Sequence, residues 1–225
     1  MSLSLFMHPV STASRSVCLF IAEKHLPVTE QVVDRMSGEH HQPAYQAINP
    51  NKAVPVLEDG DFRMAESSAI LKYLAARFDA PEYPKDLRER ARVDSMMDWF
   101  NTGFHQDFGH GLVYPQILPN HKRPTDEQNA GTIAWGKDKA GTWLGVLSNH
   151  MLGSNDYVAN NRISIADYFG VCLLTAGELV GCTFEGYPNI QRWIRSMKNL
   201  ASWGKVNEEL YGFAQSMAGR SFEKL

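Results

Sequence analysis

Three short stretches carry side chains whose types and spacing could do chemistry. The first is His8-Pro9-Val10-Ser11-Thr12-Ala13-Ser14-Arg15, a run of hydroxyls between an apolar stretch and a helical pattern. A helix N-terminus presents unpaired N–H groups and the positive end of the helix dipole, so hydroxyls just ahead of it are placed to meet an anion. An ordinary N-cap has the same residue pattern. The second is Val54-Pro55, at the start of an apolar run. Proline there gives up a ladder hydrogen bond, which fits either an edge strand or a cis bond that turns the Val54 backbone towards a ligand. The third is Glu66-Ser67, ahead of another helical pattern. The Ser67 hydroxyl and the N–H groups behind it could hold a carboxylate while Glu66 pairs with an amine, which suits the α-amino-acid end of a ligand. A plain helix cap accounts for the same pair.

Other chemical signals fail on inspection. Gly131-x4-Gly136-Lys137 has the outline of a phosphate loop, but Asp138 follows where a magnesium-binding hydroxyl is needed, and the stretch lies inside a helical pattern. His105 and His110 are five residues apart, a poor spacing for two ligands on one face of an α-helix, and no His-Glu-x-x-His occurs. No metal is expected. A Gly-x-Ser-x-Gly nucleophile elbow is absent.

The elements that must position these residues read as follows. Residues 2–7 alternate and predict a first strand; a helical face of Val17, Cys18, Ile21 and Ala22 runs from Ser14 to about His25; residues 28–33 predict a second strand. Residues 34–50 are irregular or hold one short helix, and residues 53–57 predict a third strand. Asp59-Gly60 predicts a hairpin into an antiparallel fourth strand at 61–64. Ser67 then caps a helix with Ile70, Leu71, Leu74 and Phe78 on one face. The fold class is therefore a small α/β unit over residues 1–78, a Pro- and charge-rich linker at 79–86, and an all-helical unit over 87–225. Within the last, Ile165 to Leu174 is apolar nearly all round and predicts a buried central helix, and Pro188 marks the start of another.

Composition narrows the function classes. The chain has 225 residues, enough for one large domain or two small ones. A net charge of −3 leaves no electrostatic footprint for nucleic acid or an anionic membrane. Cys18, Cys172 and Cys182 are odd in number and widely spaced, which fits reduced thiols in a cytoplasmic protein better than a disulfide or zinc framework. His8-Pro9 interrupts the apolar N-terminal stretch, so no signal peptide is expected, and no apolar run approaches the ~20 residues of a membrane span.

Taken jointly, these stretches resemble a known family. His8 to Thr12, Gly38-Glu-His-His41, Asn49-Pro50, Val54 to Gly60 and Glu66 to Leu74 are similar to the thioredoxin-like glutathione-binding domain of the cytosolic glutathione transferases. The helical remainder resembles that family's C-terminal domain, and Asn161 to Asp167 matches its buried capping box of Ser164 and Asp167. The pattern is most similar to the serine-type theta and phi branches. The resemblance implies that Ser11 donates a hydrogen bond to the glutathione sulfur and so favours the thiolate, with Ser14 as a second candidate hydroxyl. It implies that His40, His41 and Lys52 face the glycyl carboxylate, that Ala53, Val54 and Pro55 hold the cysteinyl backbone, and that Glu66 and Ser67 hold the γ-glutamyl end. A hydrophobic electrophile is then expected between the domains, against Met7, Val10, Arg15, Phe104, His105, Phe108 and Tyr114. The family is generally homodimeric, and the same is expected here. Two other readings stay open: peroxidase or disulfide-reductase chemistry, which would favour a cysteine near position 11, and a non-catalytic binding module.

Overall fold

The computed structural model describes residues 3–225. β1 (Leu3–Met7) leads through α1 (Thr12–Glu23) to β2 (Val28–Val32). A 3₁₀ turn (Glu39–His41) and α2 (Pro43–Gln46) follow, then the hairpin of β3 (Val56–Asp59) and β4 (Phe62–Ala65), and α3 (Ser67–Arg77). The sheet order is β2-β1-β3-β4, with β1 parallel to β2 and antiparallel to β3. The parallel pair follows from the α1 crossover, and the antiparallel edge from the tight Asp59-Gly60 turn.

Alternation along β1 decides what each face buries. Leu3, Leu5 and Met7 join the main core with Val17, Phe20 and Ile21 of α1 and Ile70, Leu71 and Leu74 of α3. Phe6 faces the other way, onto a small cluster of Val33, Tyr45 and Val54.

Several boundaries differ from expectation, and three of the differences bear on the candidate site. The first helix starts at Thr12 rather than Ser14, because Ser11 already caps it. The third strand starts at Val56 rather than Ala53: Pro55 has no N–H for the ladder, and the Val54–Pro55 bond is cis. Since β3 lies inside the sheet, the edge-strand explanation of that proline does not hold. Ser67 is the first residue of α3 and not its cap; Glu66 occupies the cap position and gives no side-chain hydrogen bond there.

The segment between α3 and α4 (Leu87–Trp99) is docked rather than loose. Glu82 is buried and pairs at 2.7 Å with Lys24, which caps the C-terminus of α1, and its carbonyl accepts the Ile165 N–H at 3.0 Å. From Phe100 to Val113 the helix continues as a π-helix, then α5 (Tyr114–Ile117) turns the chain towards α6 (Asp126–Val146). α6 holds the failed phosphate-loop sequence. Its Gly136 is a packing residue: a Cβ there would fall 2.4 Å from the Gly111 carbonyl carbon, so only glycine permits this helix contact. α7 (Ile165–Thr175) is buried along its whole length, as its apolar circumference predicts. α8 (Pro188–Lys198) begins at its proline, and α9 (Trp203–Ser216) closes the bundle.

The capping box at the start of α7 is a buried hub. Asp167 accepts hydrogen bonds from the Ser164 N–H and hydroxyl, the Val158 N–H and Trp193 Nε1, all within 3.0 Å. Burial pushes its carboxyl up to about 6, against the pull of those donors.

Candidate functional site

The site forms where the sheet's strand ends meet helix starts. Ser11 caps α1, and its Oγ accepts the Ser14 N–H at 3.3 Å, which leaves the hydroxyl hydrogen free to donate outward from a half-exposed position. No acidic residue stands in the first turn of α1 to neutralise its dipole. Ser14, the second candidate hydroxyl, is fully buried and accepts the His8 N–H at 3.3 Å.

The second wall is the loop before β3. Tyr45 Oη and Asn49 Nδ2 both donate to the Ala53 carbonyl, at 2.7 and 2.8 Å, and fix the backbone just ahead of Val54. Among the described residues, the Val54 N–H and C=O take no hydrogen-bond partner from the chain. A free donor and acceptor in extended backbone can pair with an extended ligand as a strand would. Glu66 holds φ at +69°, in the left-handed region that costs a non-glycine residue about 1–3 kcal/mol. That turn presents the N-terminal amides of α3, with buried Ser67 first among them and no side-chain cap to occupy them.

His40 is buried in the 3₁₀ turn, stacked 3.9 Å from exposed His41, and its Nδ1 has no partner. Burial first, then the charges of His41, Arg35 and His8, hold its imidazole below the usual histidine value. At neutral pH His40 is thus a neutral hydrogen-bonding group. Lys52 and Ala53 are exposed on the same loop system.

The helical side rearranges the expected electrophile wall. Phe104 and Phe108 are fully buried, stacked on each other at 4.9 Å, so they are core and not lining. Arg15 is also fully buried. It donates to Asn207 Oδ1 of α9 and to the Cys172 carbonyl of α7, tying α1 to the bundle. Met7 packs into the core, while half-buried Val10 packs against the cluster of Leu179, Leu210 and Met217. Tyr114 crosses the interface: its hydroxyl donates to Thr12 Oγ1 in the first turn of α1, and His105 Nε2 lies 3.0 Å from the same oxygen.

His105 and His110 correct the spacing argument made for an α-helix. The π-helix pairs residues five apart, so the two rings lie 4.9 Å from each other, and His121 stacks 5.2 Å beyond. Burial, then the neighbouring His110 and His121, push His105 down to about 3. Among the described residues no group of three or more His, Cys, Asp or Glu side chains has metal-holding geometry. Sequence reasoning missed Arg35 and His121, which belong to no motif, and the part of Thr12, which lies in the first hydroxyl stretch but meets Tyr114 only through the interface between the two units.

A mixed four-stranded sheet that offers an open hydroxyl, an unpaired backbone segment and an uncapped helix, backed by a helical bundle, defines a two-domain protein with a thioredoxin-like sheet unit. Known proteins agree. Residues 5–82 match the family model for the glutathione S-transferase N-terminal domain, and residues 112–201 that for the C-terminal domain. The mouse theta-1 glutathione S-transferase is 32% identical over 205 residues, covering 88% of this chain and 83% of the relative. A delta-class glutathione transferase of Nilaparvata lugens superposes with a TM-score of 0.81 at 30% identity, over 95% of this chain and 97% of that one. The human theta-2 enzyme, solved with glutathione and an unknown ligand, gives 0.81 at 26% identity, over 100% of this chain and 94% of that one. The chain belongs to the glutathione S-transferase family, and theta-class glutathione S-transferases are among its curated relatives.

Proposed function

We propose that this glutathione transferase activates its substrate's thiol with the Ser11 hydroxyl and adds the thiolate to hydrophobic electrophiles. The observation that carries this reading is the contrast between two serines. Ser11 keeps a free, half-exposed hydroxyl at an unneutralised helix start, whereas Ser14 is buried and engaged by His8. Glutathione lies along the sheet side, with its cysteinyl backbone on Val54 between Ala53 and Pro55. Glu66 and Ser67 take the γ-glutamyl end, and His40, His41 and Lys52 the glycyl carboxylate.

The energetics close without a buried base. A free thiol has a pKa of ~8.5, and lowering it by about two units takes roughly 2.7 kcal/mol of selective thiolate stabilisation. One hydrogen bond to an ionised acceptor supplies about 1.5–3 kcal/mol. The α1 dipole adds about 0.3–1 kcal/mol. Ser11 is thus a donor and not a nucleophile. His105 and Tyr114 remain as the electrophile-facing edge of the helical side, with Met7, Arg15, Phe104 and Phe108 supporting it from behind and Val10 at its margin.

The redox reading loses support because Cys18, Cys172 and Cys182 are all buried, with thiols raised by burial; Cys172 reaches about 11. A homodimer in the cytoplasm completes the proposal, in keeping with the family and with three free thiols. No helix among the described residues is long and apolar enough to cross a membrane. Calorimetric titration with glutathione, followed by conjugation of a halo-aromatic electrophile, tests the reading. Heat without turnover would leave a binding module, and no heat at all would remove the tripeptide site.

A further inference from the structure

Arg35 stands in the loop after β2. Among the described residues it has no carboxylate in ion-pair contact, and its Nε is buried without an acceptor. A buried N–H with no partner is rare enough to require a reason. The side chain as a whole is half-exposed, so the rest of its fork is accessible. Its charge reaches both walls of the cleft: His8, His40 and Tyr45 on the sheet side, Tyr114 and His121 on the helical side. His8 also accepts the Ser11 N–H at 2.9 Å, so this wall leads directly to the activating hydroxyl.

The charges of Asp34 and Glu209 also act on His8, and that of Glu39 on Tyr45, but none of these carboxylates forms an ion pair with Arg35. The three histidines are all held towards their neutral form, and the two tyrosines are protonated at neutral pH. Neighbouring Asp34 already accepts the Met36 and Ser37 N–H groups through Oδ1, and Glu39 is turned to the Asp34 N–H. A planar guanidinium among neutral rings matches a carboxylate or sulfonate fork to fork. Met36, next in sequence, is an exposed apolar side chain.

We propose that Arg35 reads an anionic group on the second substrate, so that the enzyme favours electrophiles carrying a carboxylate several bonds from the reacting carbon. The inference rests on the reading that Ser11 activates glutathione. With an aryl vinyl ketone as electrophile, the thiolate sulfur forms a C–S bond at the β-carbon as the C=C π pair moves to the enolate. Water then protonates the α-carbon, returning the proton the thiol released, and nothing leaves. The carboxylate takes no part in this bond-making and reports only on recognition.

Ethacrynic acid and its methyl ester share the reacting enone and differ in the remote charge, so the test compares them in wild type, Arg35→Gln and Arg35→Lys. The ratio of kcat/KM for acid over ester is expected to fall about tenfold in Arg35→Gln, equivalent to about 1.4 kcal/mol, with the loss in the electrophile's KM. Arg35→Lys, which keeps charge but not the fork, should lie between. An unchanged ratio overturns the assignment. An unchanged ratio with a raised KM for glutathione overturns it in favour of the tripeptide's own glycyl carboxylate as the partner. Wild type that conjugates neither compound and takes up no glutathione would remove the underlying thiolate reading as well, and the ester identifies that outcome.

Discussion

Replacing Ser11 by alanine deletes one hydroxyl that caps α1 and, in the proposed mechanism, donates to the glutathione sulfur, and the two effects can be measured apart. As cap, Ser11 accepts the Ser14 N–H at 3.3 Å, a long bond, so its loss should cost stability near the lower end of the ~0.5–2 kcal/mol range for N-caps. As donor to the sulfur, it should carry about 1.5–3 kcal/mol, which raises the thiol of bound glutathione by about one to two pKa units. Starting from a bound value near ~6.5, the thiolate fraction at pH 7 then falls about fourfold to fortyfold, and kcat/KM with it. Urea unfolding reads the first quantity, and ultraviolet absorbance of the bound thiolate against pH reads the second. Ser11→Thr keeps an oxygen for both duties and should restore most of each. Ser14→Ala should lower stability through the orphaned His8 N–H while the thiol pKa stays within ~0.3 units, since that hydroxyl is buried. If Ser14→Ala raises the thiol pKa and Ser11→Ala leaves it alone, the assignment of the donor is refuted.

Four other substitutions test neighbouring parts of the structure. Ser67→Ala and Glu66→Gln should each weaken retention on immobilised glutathione by about tenfold, as expected for one charge-assisted contact at the γ-glutamyl end; equal retention would move that end elsewhere. His105 is held at about 3 in the fold against ~6.5 unfolded. A depressed folded value means its contribution is complete above pH ~6.5 and is lost as pH falls towards ~3, amounting to about 2 kcal/mol by pH 5. Urea midpoints of wild type and His105→Gln should therefore converge between pH 7.5 and 5, with His110 and His121 adding in the same direction to both. Asp167→Ala strands four buried donors and should cost at least ~3 kcal/mol, seen as a large drop in thermal midpoint or as insoluble protein.

Local chemistry made much of the site readable from the sequence. Ser11, the Val54-Pro55 pair and Glu66-Ser67 each announce a strand end or helix start through neighbours within a few residues, and the structure places all three there. Ser164 and Asp167 were readable for the same reason: a capping box spans three residues. The parallel β1–β2 pair and the antiparallel β3–β4 hairpin followed from the α1 crossover and the Asp59-Gly60 turn, whereas the place of β3 inside the sheet did not.

Tertiary structure alone decided the rest. Helical spacing cannot say whether Phe104 and Phe108 line a pocket or fill a core, and packing against Trp99 and Phe184 filled the core. The His105–His110 pair needed a π-helical stretch that sequence periodicity at α spacing does not encode. Arg15 sits one helical turn from Ser11, yet its guanidinium is claimed by Asn207, 192 residues away. Arg35 gains its place from groups on two units brought together by the fold. Short-range hydrogen bonding is written in neighbouring residues, whereas burial and long-range electrostatics depend on which distant surfaces meet, and that is settled only when the helices close on the sheet.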